Sequence, residues 1–114
     1  MPRVNNFEVE IVTGTAGAAG PVKFDFNGHT MEFPKPTGGT GPGETFRGSF
    51  DARSFAHSVA LVGPAEGRWQ IARLAITYSC DNAAPYVVTF ENLELDDSVA
   101  LDIWRPPPLA TFDV

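Results

Sequence analysis

The stretch "RWQIARLAITY", Arg68 to Tyr78, decides the fold. It can be scored as a short helix. Trp69, Ile71, Ile76, Thr77 and Tyr78 tip it to a strand, because β-branched and aromatic side chains suit a pleated, half-buried surface. Its apolar parity shifts from Trp69 and Ile71 to Leu74, Ile76 and Tyr78. A strand with such a shift carries a β-bulge or is buried on both faces.

Downstream, "SCDNAAP" reads as a turn and "YVVTFENLEL" as a long strand. There too the parity slips, from Tyr86, Val88 and Phe90 to Leu93 and Leu95. "DDS" turns the chain into "VALDIW", with Val99, Leu101 and Ile103 facing inward. Upstream, "FEVEIV" sets Phe7, Val9 and Ile11 against Glu8 and Glu10, the alternation of a strand with one solvated face. "VKFDF" repeats that pattern. Asn27-Gly28 follows it, a strong hairpin signal because both residues tolerate positive φ. The return strand spans about His29 to Phe33. "PKPTGGTGPG", Pro34 to Gly43, has no periodicity and reads as a long exposed loop. "ETFRGSF" and "SFAHSVALV" resume extended structure, the latter with Phe55, His57, Val59 and Leu61 on one face. "GPAEG" is a turn.

About eight strands at a spacing near a dozen residues, with no convincing helix, predict an all-β fold: an antiparallel β-sandwich. Residues 1–105 form one domain. Residues 106–114 are a Pro-rich tail, because three prolines stop a further central strand.

The 114 residues are enough to bury a core without disulfides or a structural metal. Cys80 is the only cysteine, so no disulfide closes within the chain. A hydrophobic fraction of 43% against 19% charged is globular in character rather than disordered. With net charge −6 and only 8 dispersed basic residues, binding to nucleic acid or polybasic attachment to anionic lipid is not expected. The start "MPRVNNFEVEIV" lacks the apolar core of a signal peptide, and no run reaches transmembrane length. A cytoplasmic or non-classically exported protein is expected.

The chemistry-bearing residues are few. His57 and Ser58 are adjacent on a strand and point to opposite faces. His57, on the apolar-looking face, reads as a partly buried, hydrogen-bonded core histidine, and His29, after the hairpin turn, as solvated. No nucleophile elbow occurs, and Cys80 has no nucleophile signature around it. Two histidines in unrelated contexts do not make a transition-metal site. Glu8 and Glu10 read as a solvated face before a pair of catalytic carboxylates. Calcium wants several loop oxygens. Asp81 and Asn82 in one turn, Asp96 and Asp97 in another, and Asp51 offer them if the turns share one end of the sandwich. Otherwise these residues are turn formers, bonding the local backbone. The phenylalanines, Phe55 and Phe90 included, read mostly as core. Trp69 after a glycine turn, Tyr86 after Ala84-Pro85, and Trp104 before the prolines stand at loop edges. Amphipathic rings there suit a sugar or a membrane interface. The alternative is that each Trp caps the core, and for Trp104 the two readings are equal.

In this order the motifs resemble a PLAT domain, also called the lipoxygenase homology domain. The resemblance rests on "VEIVTGTAGAAGPVKFDF", "FRGSFD", "GRWQIARLAITY", "SCDNAAPYVVTFENLEL" and the closing "LDIW". It covers nearly the whole chain through short motifs. Thr15 stands where the family often has an acidic residue, and Tyr86 where Trp is common. The resemblance implies a non-catalytic interaction module that binds membrane lipid or a partner protein through loops at one end. Trp69, Tyr86 and Trp104 would be the contact rings. No cofactor would be required, though some members use calcium. The alternatives are a carbohydrate- or small-ligand-binding jelly roll, and a small β-sandwich enzyme using His57. The residues point to a binder before an enzyme, and the oligomeric state is left open.

Overall fold

The computed structural model describes residues 3–18, 22–64, 67–80, 84–97 and 100–104. Within them the chain forms β1 (Arg3–Thr13), β2 (Lys23–Phe26), β3 (His29–Glu32), β4 (Thr37–Gly38), β5 (Thr45–Phe50), β6 (Ser54–Phe55), β7 (Val59–Val62), β8 (Arg68–Cys80), β9 (Tyr86–Asp96) and β10 (Ala100–Asp102). One sheet has the order β4-β5-β1-β8-β9, with β6 paired to the start of β1. The facing sheet has the order β10-β7-β2-β3. Every pairing is antiparallel. The expected all-β antiparallel sandwich is therefore present. No helix of the described residues is long and apolar enough to cross a membrane.

Ten strands replace the expected eight for two reasons. Thr37 and Gly38 of the Pro/Gly loop pair with Arg47 and Phe46. "SFAHSVALV" is also not one strand. Ser54 and Phe55 pair with β1, whereas Val59 to Leu61 pair with β2 in the other sheet. The crossing is fastened by Asn27. Its Oδ1 accepts from the amides of His57 at 2.6 Å and Ser58 at 3.2 Å, and its Nδ2 donates to the Phe55 carbonyl at 2.8 Å. Asn27 and Gly28 have φ of 52° and 86°, the paired positive values that a two-residue hairpin turn requires.

The parity shift in β8 is a bulge. Val12 pairs with Arg73 but Thr13 pairs with Ile71, so Ala72 is the additional residue. Against β9 the ladder passes from Arg73↔Glu91 to Ile71↔Leu93, leaving out Ala72 and Asn92, the latter at φ 54°. Trp69, Ile71, Leu74, Ile76 and Tyr78 are thereby all buried on one face.

The core joins the two sheets through aromatic rings. Phe7 of β1 meets Phe24 edge-on at 5.2 Å and lies 6.1 Å from both Phe33 and Tyr78. Such pairs add roughly 0.5–1.5 kcal/mol each beyond their area burial. Gly48 of β5 makes room for this packing, since a Cβ there would lie 2.7 Å from Cγ of Phe33. Phe50 and Phe90 are half-buried, and Phe55 is exposed.

Candidate functional site

Two of the three expected contact rings meet at one end of the sandwich. Tyr78 and Tyr86 are partners in the β8–β9 ladder. Their rings stack at 5.3 Å, and Trp104 meets Tyr78 edge-on at 5.1 Å. Tyr78 is fully buried, and its hydroxyl donates to the Ile103 carbonyl. That anchor holds the last described residues of the chain against the end of β8. Tyr86 and Trp104 are half-buried, each with one side packed on the core. Trp104 packs against the core and keeps part of its surface exposed.

Cys80 ends β8 as a buried thiol outside any disulfide. Burial first, and then the neighbouring Cys80, push the Tyr86 phenol above its ordinary range. Tyr86 therefore stays neutral across the physiological range. Ala84 and Pro85, both exposed, lead into it.

The remaining apolar surface gathers at the same end. The exposed large hydrophobic residues among those described are Phe55 at 53% and Val87 at 56%. Val87 is opposite Thr77, beside the Tyr78–Tyr86 pair. Phe55 pairs with Arg3, and the adjacent Val4 pairs with Cys80. Phe55 is the residue that sequence reasoning missed. Its signal is the run Ser54-Phe55-Ala56-His57-Ser58, where small and polar residues break the apolar alternation.

Trp69 is elsewhere. Nine residue steps along β8 separate it from Tyr78, about 30 Å. It is 1% exposed, and its Nε1 donates to Oγ1 of buried Thr13 at 3.0 Å. A ring so enclosed offers no contact surface, which corrects its expected role. Its parity with Ile71 carried that signal. The acidic turns also divide. Cys80 and Tyr86, which bracket residues 81–85, are at one end of the β8–β9 hairpin, and Asp96, opposite Arg68, is at the other. Asp81 and Asn82 themselves lie outside the described residues. Asp96 is thus at the opposite end of the hairpin from Cys80 and Tyr86. Asp51 accepts from Asn6 Nδ2 at 2.9 Å. Among the described residues no group of three or more His, Cys, Asp or Glu gathers where it could hold a metal.

His57 is exposed, not part of the core. The bend that carries the chain between sheets turns it outward, and its backbone amide is the group held by Asn27. His29 is exposed as well.

No protein-family model matches the chain, and no curated protein or solved structure is significantly similar to it.

Proposed function

We propose that this chain is a non-catalytic interaction module of PLAT-like type, docking on a membrane lipid surface through the end that carries Tyr86 and Trp104. One observation carries the reading: Phe55 and Val87 are exposed at the same end as the half-buried Tyr86 and Trp104 rings. Rings with a dry side and a wet side suit a membrane–water interface. The net charge of −6 favours a neutral headgroup over an anionic one. A partner protein is the alternative occupant of the same end.

Flotation with neutral phosphatidylcholine vesicles tests the reading. The protein is expected to float. Phe55→Asp and Val87→Asp, at exposed positions that leave the core intact, are each expected to weaken binding roughly tenfold, as loss of a buried apolar side chain should. Undiminished flotation of both variants overturns docking through this end. Failure of the unaltered protein to float overturns the lipid assignment and leaves a protein partner as the reading to test.

A further inference from the structure

The outward face of the larger sheet carries a groove of about 490 Å³, a volume within the usual range for small-ligand sites. Its chemistry follows from strand register. One row across the sheet runs Thr37, Arg47, Glu10 and Ala75. The next runs Ser49, Glu8 and Thr77. The Ala75 methyl leaves a dip between Arg73 and Thr77, its same-face neighbours on β8. Lys35 lines the opposite flank.

Charge here runs against that of the whole chain. Three cations and two carboxylates line the groove, so it is net positive in a protein of net charge −6. Glu10 is partly neutralised by Arg47, whose Nε donates to it at 3.1 Å. Arg73, Lys35 and Glu8 make no ion pair with any described residue. Glu91 is the cross-strand neighbour of Arg73 but lies outside the lining.

Spacing narrows the ligand. β5 and β8 flank β1, so their axes are about 10 Å apart, and Lys35 lies on the β5 side. Arg73 and Lys35 reach the groove from its opposite flanks. They suit separate anionic groups, one at each flank. Between them Glu8 accepts hydrogen bonds from hydroxyl donors and repels a dense run of negative charge. Ser49, Thr37 and Thr77 add hydroxyls. The dip offers only a methyl floor, too little for the apolar side chains of a peptide.

We propose that this groove binds an acidic oligosaccharide whose carboxylates are separated by hydroxyl-bearing rings. The groove adjoins the lipid-docking end through Thr77, the ladder partner of Val87, but its lining includes none of Phe55, Tyr86, Val87 and Trp104.

Calorimetric titration at low salt tests it with three probes of equal length. These are a hyaluronan hexasaccharide (alternating uronate), neutral chitohexaose, and hexameric oligogalacturonate (contiguous uronate). Hyaluronan is expected to bind, with both comparators weaker. Arg73→Gln and Lys35→Gln are each expected to weaken it roughly three- to tenfold, as removal of an exposed charge-assisted contact should. Raising the salt should weaken it too. Phe55→Asp is expected to leave it unchanged. Absence of hyaluronan binding, equal binding of either comparator, or indifference to both groove substitutions overturns the proposal. So does loss of glycan binding in Phe55→Asp, which would move the site to the other end.

Discussion

The two ends of this sandwich are closed in different ways. At the Trp69 end, closure is polar. Gln70 donates its amide to the Ala16 carbonyl at 2.8 Å, and its own carbonyl accepts from Gly14 at 2.8 Å. Its side-chain Oε1 accepts from the amide and the hydroxyl of Thr15. The Pro/Gly loop is drawn into the same network: Gly43 donates to Thr13 and Gly14, and Ala18 and Thr40 bond reciprocally. With that end fastened, Trp69 is wholly core. The Tyr86 end closes with rings instead, Tyr86 and Trp104 against Tyr78, and leaves Phe55 and Val87 in solvent. Aromatic residues at strand ends therefore do not share one role. Among the described residues, the ring under a hydrogen-bonded loop caps the core, and the rings packed on Tyr78 keep a wet side.

The largest expected effect separates the two ends by stability. Trp69→Ala should cost about 3–5 kcal/mol in urea unfolding, since it empties a fully buried site and leaves Thr13 without its indole donor. Phe55→Ala at the other end should change stability by less than about 0.5 kcal/mol. Comparable losses in the two variants would break the contrast. Next in size is Gln70→Ala, which removes the acceptor that Thr15 shares between its amide and hydroxyl. A loss of about 1 kcal/mol is expected, the usual net worth of such bonds near solvent. Hydrogen exchange should quicken first at the Thr15 amide. Unchanged protection there would mean that the loop is held by its backbone bonds alone.

This contrast also marks how far the sequence could be read. The alternation of Phe7, Val9 and Ile11 with Glu8 and Glu10 was legible because one face of β1 is buried and the other solvated. Asn27-Gly28 was legible because the turn needs two positive φ angles and says so locally. The bulge in β8 showed as a parity shift at Ala72. What escaped depends on distant partners. The crossing at residues 56–58 is fixed by Asn27, thirty positions away from His57, so "SFAHSVALV" read as one strand and His57 as core. The Pro/Gly loop read as simply exposed, because its fastening to Gly14 and Ala18 is backbone chemistry that side-chain patterns do not announce. The grouping of Tyr86 with Trp104, and the separation of both from Trp69, follow from sheet order. Of these, the separation of Trp69 from Tyr86 could have been estimated from the length of the intervening strand.

The smallest expected effect concerns how dry the open end is. The Tyr86 phenol is held above its ordinary value by burial first and then by Cys80. Below about pH 10, the ordinary tyrosine value, the residue is protonated in folded and unfolded chains alike and contributes no pH dependence. As pH rises past that value, the unfolded chain releases a proton that the folded chain still holds. Stability should therefore fall with pH until the folded phenol also ionises. Tyr86→Phe lacks that proton. Urea midpoints of the two proteins should change together up to about pH 9 and diverge above about pH 10, with the variant holding its stability better. Cys80→Ala divides the causes: it removes the thiol and leaves the burial, so a shallower fall should remain. If the unaltered protein and Tyr86→Phe stay parallel throughout, the Tyr86 ring is as open to water as Phe55, and the contact surface at this end is wetter than its packing on Tyr78 implies.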